Sequence, residues 1–191
     1  MSSQNIVILD AVEALIKGGT LLYPTDTIWG IGCDATNDDA VDKIYSIKQR
    51  DHSKSMLILC ADIDMIVRYV SPVSDEVRNL LLCSVRPTTV ILPLCKKILA
   101  SNLVAADGTI GVRVPQMDFC QQLLRSLGKP IVSTSANLSG HSSPTSYSDI
   151  ENTLKSKVDY CVPPEMETDT GGRSSRIVKL LPDGSLKIIR Q

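Results

Sequence analysis

The chain has no surplus of charge of either sign. Its 191 residues contain 20 Lys and Arg against 21 Asp and Glu, which leaves a net charge of −1. Binding to nucleic acid phosphates depends on clustered cations, so an RNA contact would need a local basic patch. The composition therefore argues against a protein that binds nucleic acid through its overall charge.

Paired cysteines and a targeting segment are also lacking. The six cysteines lie 12 or more residues apart, so there is no C-x-x-C metal or redox pair, and we expect them to be reduced and mostly buried. The first 19 residues carry no basic stretch and reach a charge at Asp10, which argues against a signal peptide or a membrane span. We expect a cytoplasmic protein without a membrane partner.

Three common catalytic motifs are missing. No G-x-x-x-x-G-K-[ST] occurs, and the G-x-G at Gly30 and Gly32 has no G-x-x-G continuation, so neither a P-loop nor a dinucleotide fold is favoured. No G-x-S-x-G elbow occurs either, and His52 and His141 are the only histidines. A Ser–His nucleophile is therefore disfavoured.

Apolar periodicity predicts helices and strands in mixed order. Helices are predicted up to residue 16, over 37–48, 77–81 and 119–127, and from a capping box at Ser148 over 148–156. Strands are predicted over 20–23, 29–33, 56–60, 88–93, 110–114 and 131–132, with a polar loop over 133–146 and a hairpin around 182–184. This order predicts one α/β domain over 1–191: a single twisted mixed parallel/antiparallel sheet with packed helices and an open concave cleft.

Two cations lie at the end of the second predicted helix. Lys48 and Arg50 are separated by one residue, and such a pair can converge on one anion, the arginine as a fork and the lysine as a point charge. Cations at the carboxyl end of a helix also stabilise its dipole from a solvated position. Spacing alone leaves both interpretations open.

Short polar side chains form two further clusters. The segment 133–140, STSANLSG, offers hydroxyl and amide donors for phosphate or carbonyl oxygens, although the same residue types are ordinary in capped turns. The segment 24–27, PTDT, predicts a turn that ends a strand, and Thr27 and Trp29 could instead form a substrate wall. The residues by themselves do not decide between these interpretations.

In this order the clusters resemble the YrdC-like family of threonylcarbamoyl-AMP synthases. The similarity spans about 8–190, and its motifs are PTDTIWGIG at 24–32, KQR at 48–50, GVRVP at 111–115 and STSANLSG at 133–140. Four motifs in the family's order favour the functional interpretation of Lys48, Arg50 and the 133–140 segment over the solvated or turn-forming one.

The resemblance implies a nucleotidyltransferase that makes L-threonylcarbamoyladenylate and pyrophosphate from ATP, bicarbonate and L-threonine. The product would serve threonylcarbamoyladenosine formation in tRNA, with downstream tRNA-modifying proteins as further partners. Mg²⁺ would accompany ATP, held by phosphate oxygens and water, so we expect no metal-binding side chains. A direct contact with tRNA or double-stranded RNA stays open.

The family's functional positions carry over to twelve residues of this chain. The resemblance assigns catalysis to Lys48, Arg50, Ser135 and Asn137, substrate binding to Thr27, Arg113, Ser133 and Ser175, and nucleotide binding to Arg50, Lys54, Thr109, Ser135, Ser143 and Arg190. If these roles hold, side chains more than eighty positions apart in the sequence share one positively charged, hydroxyl-lined cleft.

Four positions depart from the family's motifs. Asp26 replaces the usual Glu, Trp29 replaces Tyr or Phe, Asp51 replaces a common Pro, and Leu59 stands where the family often has a His that contacts threonine. Those at Asp26, Asp51 and Leu59 support an alternative hypothesis, a noncatalytic RNA-binding protein similar to the YciO branch of the same fold. That branch departs at K-x-R and S-x-A-N, both of which this chain retains, so the synthase is favoured.

Overall fold

One mixed sheet organises the chain in the computed structural model, which describes residues 3–52, 55–168 and 172–191. Its nine strands are β1 (Leu21–Tyr23), β2 (Gly30–Gly32), β3 (Leu57–Leu59), β4 (Thr88–Pro93), β5 (Thr109–Arg113), β6 (Ile131–Ser135), β7 (Tyr160–Cys161), β8 (Arg176–Leu180) and β9 (Leu186–Arg190). Their order is β7-β1-β2-β6-β3-β5-β4-β8-β9, with parallel and antiparallel neighbours. The predicted mixed α/β sheet is confirmed.

The helices carry caps supplied by the sequence at several of their ends. They are α1 (Ser3–Ile16), α2 (Asp38–Lys48), α3 (Ile63–Tyr69), α4 (Asp75–Cys83), α5 (Asp118–Leu127) and α6 (Asn152–Lys155). The Asn37 side chain accepts a hydrogen bond from Ala40 N at the start of α2, and Gly128 ends α5 with a φ of 71°. Among the described residues, no helix is both long enough and apolar enough to cross a membrane.

Three local predictions differ from the structure. Residues 133–135, predicted as loop, continue β6, because this central strand pairs with β2 on one side and β3 on the other. The capping box joins Ser146 and Asp149 rather than starting at Ser148, and it closes a 3₁₀ turn, so α6 has four residues. Helix α3 has no counterpart among the predicted helices.

Side-chain alternation gives the sheet two different faces. One face is apolar, with exposures of 0–1% at Ile58, Val90, Val112, Val132 and Val178. The residues between them point to the opposite face, where Leu57 is the direct partner of both Gly111 and Ser133. The apolar face belongs to the core, and the second face is left to form a site.

Candidate anion-binding cleft

The second face of the sheet is the floor of a cleft of about 310 Å³. Alternate residues of two strands line it, Thr109, Gly111 and Arg113 from β5 and Ser133 and Ser135 from β6. Strand β3 lies between these two strands and pairs with both. Sheet register therefore brings together polar residues that are distant in sequence.

The lining is rich in hydroxyl groups and arginine. Eleven Ser or Thr residues and three arginines, Arg50, Arg113 and Arg190, line the cleft, and none of the described lining residues is Asp or Glu. Guanidinium and hydroxyl groups donate hydrogen bonds to phosphate and carboxylate oxygens. The cleft is therefore built for an anionic ligand.

Arg113 lies at the floor of the cleft and is only 3% exposed. Its Nη1 donates to Thr27 Oγ1 at 2.8 Å, and its Nη2 lies 3.5 Å from Asp26 Oδ1. Arg113 Nε and Asp26 Oδ1 are buried without a hydrogen-bond partner among the described residues. The Asp26 carboxylate is itself anchored, because its Oδ2 accepts from Gln116 N at 3.0 Å.

Lys48 lies behind the wall of the cleft, 1% exposed. Its Nζ donates to the backbone carbonyl oxygens of Ser135 and, at 2.6 Å, of Asn137. Burial, and to a smaller extent the nearby Arg50 charge, lowers the pKa of Lys48 to about 7. The amine therefore ties the end of α2 to the turn after β6.

The backbone after Lys48 turns Arg50 towards the cleft. Gln49 adopts a left-handed conformation with a φ of 49°, and its N–H donates to Ser46 O at 3.2 Å. Arg50 then lines the cleft, where its Nη2 donates to Ser55 O at 3.0 Å. The two cations of K-x-R thus have different surroundings instead of converging on one point.

Asn137 shapes the turn that follows β6. Its Nδ2 donates to the carbonyl oxygens of Leu138 at 2.9 Å and His141 at 2.7 Å. Ser139 N donates to Lys48 O at 3.0 Å, which binds the same turn to α2 a second time. Asn137 and Lys48 therefore both hold the backbone that carries Ser135.

The opposite end of the cleft is formed by β8 and β9. Ser175 Oγ is hydrogen-bonded to Thr89 Oγ1 at 2.9 Å, and Arg190 donates through Nη2 to Ser175 O at 2.8 Å. Burial lowers the pKa of Arg190, and the charges of Arg86 and Arg113 lower it further. An anion at this end would relieve that repulsion.

The structure brings together nine of the twelve predicted residues. Those that line the cleft are Thr27, Arg50, Thr109, Arg113, Ser133, Ser135, Ser143, Ser175 and Arg190. Lys48 and Asn137 are held behind the wall, and Lys54 lies outside the described residues. The described part of the chain contains no group of three or more His, Cys, Asp or Glu that could hold a metal ion.

Several lining residues were not predicted. Thr89 and Ile91 of β4, together with Ser55 and Ser174, also line the cleft. The alternation within β4 indicates that Thr89 and Ile91 share a face. Only the pairing of Ile91 with Gly111 shows that this face is the one towards the cleft.

Two of the departures now have a structural setting. Leu59 is 1% exposed and is the register partner of Arg113 on β5, so an apolar side chain lies beside this buried cation. Trp29 is 2% exposed, and its Nε1 donates to Glu167 Oε1 at 2.6 Å. A Phe at position 29 would lack this donor.

Sequence comparison places these features in a family. The family model Sua5_yciO_yrdC, described as Telomere recombination, matches residues 13–191. A threonylcarbamoyl-AMP synthase of Idiomarina loihiensis is 34% identical over 169 residues, which cover 87% of this chain and 88% of that protein. The chain belongs to the Sua5/YciO/YrdC family. The resemblance read from the motifs is therefore confirmed.

Solved structures of Sua5 and YciO share the fold. E. coli YciO is 26% identical with a TM-score of 0.80, over 100% of this chain and 91% of that one. P. abyssi Sua5 complexed with L-threonine is 21% identical with a TM-score of 0.85, over 100% of this chain and 55% of that one. The chain thus spans just over half of that Sua5 protein, and the likeness to it concerns the fold.

Proposed function

We propose that this chain is an L-threonylcarbamoyladenylate synthase, a nucleotidyltransferase that uses ATP, bicarbonate and L-threonine. The observation that carries the proposal is the cleft itself, in which three arginines and eleven Ser or Thr residues converge without a carboxylate among the described lining residues. The relative from Idiomarina loihiensis, named threonylcarbamoyl-AMP synthase, supports the same reaction. The product would supply threonylcarbamoyladenosine formation in tRNA.

The reaction joins three anionic groups. The threonine amine adds to bicarbonate with loss of water, and an oxygen of the resulting carbamate attacks the α-phosphorus of ATP. The bond from that phosphorus to the bridging oxygen breaks, and pyrophosphate leaves with its electron pair. Fixed cations and hydroxyl donors lower such a barrier by positioning the reactants and stabilising charge.

Each part of the cleft suits one of these groups. Arg113, with Thr27 and Ser133, would hold the threonine carboxylate and amine, because a guanidinium and two hydroxyl groups line the cleft together. Arg50 and Ser135 would contact the carbamate and the phosphates at the wall.

The nucleotide would extend towards the other polar residues of the lining, Thr109, Ser143, Ser175 and Arg190. Lys48 and Asn137 would act indirectly, through the turn that presents Ser135. Mg²⁺ would reach the site with ATP and be held by phosphate oxygens and water, because the described lining residues offer hydroxyls rather than carboxylates.

Substitution of Arg50 tests the proposal. Arg50→Ala should lower pyrophosphate release with ATP, bicarbonate and L-threonine by about 100-fold or more, because a guanidinium that meets developing charge is lost. Arg125→Ala, which removes an exposed arginine of α5, is the matched control and should keep wild-type activity. Mass spectrometry should detect the threonylcarbamoyl adenylate in the wild-type reaction. Wild-type protein that makes neither product would refute the synthase.

The second candidate function, noncatalytic RNA binding, is favoured by one observation. Arginines line the cleft without carboxylates among the described residues, and such a surface also suits phosphates of RNA. A synthase should bind ATP in filter or calorimetric assays. Salt-dependent binding of double-stranded RNA without any ATP binding would favour the alternative.

A further inference from the structure

A carboxylate outside the cleft joins Trp29, which lines the cleft, to Tyr147. Glu167 Oε1 accepts from the indole Nε1 of Trp29 at 2.6 Å and from the backbone N of Tyr147 at 3.2 Å. The rings of Trp29 and Tyr147 are in contact, with centroids 5.0 Å apart at 56°. We call Trp29, Tyr147 and Glu167 the clasp.

The clasp is built from interactions that suit a buried site. Trp29 is 2% exposed, and a buried indole N–H needs an acceptor. A carboxylate is a strong one, because hydrogen bonds to an ionised acceptor are about twice as strong as neutral ones. The Lys155 ammonium, 4.2 Å from the centroid of the Tyr147 ring, adds a cation–π contact.

The clasp reaches the cleft at two residues, one of them a member of the clasp and the other close to a member in the sequence. Ser143, four residues before Tyr147, lines the cleft, as does Trp29 itself. The capping box between Ser146 and Asp149 stiffens the chain on either side of Tyr147. Fixing Tyr147 therefore also limits where Ser143 can lie.

We propose that Glu167 is a positioning residue for the nucleotide, because it holds segment 143–149, and with it Ser143, at the wall of the cleft. The inference rests on the proposed function for the identity of the ligand at Ser143. Within the described residues, none of the hydrogen bonds of Glu167 joins it to Thr27 or Arg113. The amino-acid end should therefore be unaffected.

Substitution of Glu167 tests whether it affects the nucleotide end of the cleft and not the amino-acid end. Glu167→Ala should raise the dissociation constant of ATP, measured by calorimetry, about tenfold, because a hydrogen bond to a charged group is lost. The KM for L-threonine should stay within about twofold of wild type. Glu167→Gln keeps an acceptor oxygen and should restore most of the affinity. Glu165→Ala, at an exposed residue of the 3₁₀ turn Pro164–Met166 that directly precedes Glu167, is the matched control and should bind ATP normally.

Tryptophan fluorescence reports the clasp without any turnover, because Trp29 is the only tryptophan in the chain. Glu167→Ala should change the emission of Trp29, and Glu165→Ala should leave it unchanged. Trp29→Phe keeps an aromatic ring and removes the donor, so it should weaken ATP binding as well. The double variant with Glu167→Ala should bind ATP no worse than the weaker single variant.

The outcomes distinguish this inference from the function on which it rests. Normal ATP affinity in Glu167→Ala would overturn the positioning role and leave the synthase standing. An equal rise of the ATP dissociation constant and the threonine KM would also overturn it, because general loosening of the cleft would then explain both. Failure of the wild-type protein to bind ATP would overturn the proposed function and the inference together.

Discussion

Two buried cations beside the cleft are held in opposite ways. Lys48 is 1% exposed and donates to the carbonyl oxygens of Ser135 and Asn137, both from the protein backbone. Arg113 is 3% exposed and donates to Thr27, while its Nε has no partner among the described residues. Lys48 donates hydrogen bonds only to backbone oxygens among the described residues, whereas Arg113 contacts the side chains of Thr27 and Asp26 and itself lines the cleft.

The difference indicates what each region is for. A buried polar group without a partner costs about 1–3 kcal/mol, so native proteins keep few of them. The turn held by Lys48 fixes the shape of the wall, whereas the Arg113 guanidinium lines the cleft and suits a ligand carboxylate. Substitution of Lys48 should therefore change stability first, and substitution of Arg113 should change binding first.

Among the substitutions that test this comparison of Lys48 with Arg113, the largest effect is expected from Arg113→Lys. The lysine keeps a charge opposite Asp26 but loses the guanidinium fork, so the KM for L-threonine should rise about 30-fold or more. The free energy of unfolding should fall by less than about 1 kcal/mol, because the buried carboxylate still faces a cation. Pyrophosphate release over a threonine titration and urea unfolding measure the two quantities.

Arg125→Lys is the control for this substitution, since Arg125 is exposed on α5. It should change neither the KM nor the stability. If Arg113→Lys lowers stability and leaves the threonine KM unchanged, Arg113 is a structural cation, and the distinction drawn between it and Lys48 is wrong.

The sequence predicts the strands and helices around this site better than the positions of its polar residues. Strand β4 at Thr88–Pro93 and the Gly128 cap of α5 were predicted, because local β-branched content and a left-handed glycine determine them. The extension of β6 through Ser133–Ser135 was missed, because polar residues typical of loops are held there by pairing on both sides.

The burial of Lys48 lies beyond the reach of sequence patterns. Helical spacing places Lys48 at the end of α2, where the sequence was consistent both with a solvated cation and with a cation that binds an anion. Its two carbonyl partners are 87 and 89 residues away, so only the folded chain shows that its amine faces the backbone. Motif order indicated that positions 48, 135 and 137 meet, and it could not indicate through which atoms.

The second prediction concerns the pH dependence of stability. Burial lowers the pKa of Lys48 from 10.5 to about 7. Between these values the unfolded chain holds a proton that the folded chain has released, so the folded state gains stability as pH rises through this window. The difference in unfolding free energy between wild type and Lys48→Met should grow by about 1 kcal/mol per pH unit from pH 7 upwards.

Urea unfolding of both proteins at about pH 7, 8 and 9 measures this slope, since groups common to both cancel in the difference. Arg68→Met, an exposed cation of α3, is the control and should give a flat difference. If the difference between wild type and Lys48→Met is also independent of pH, the two carbonyl partners keep the Lys48 ammonium charged. Lys48 would then resemble Arg113 in remaining a buried charge.

The smallest effect is expected from Thr27→Val, which is nearly isosteric and removes the hydroxyl that accepts from Arg113 Nη1. A second guanidinium donor then lacks its protein partner, so the free energy of unfolding should fall by about 1 kcal/mol and the threonine KM should rise about threefold. Thr153→Val, at an exposed hydroxyl, should change neither quantity. If Thr27→Val instead lowers the threonine KM, the Arg113 Nη1 that no longer donates to Thr27 binds L-threonine better than it does in the wild type. Thr27 would then compete with the ligand for Arg113 rather than position Arg113 for it.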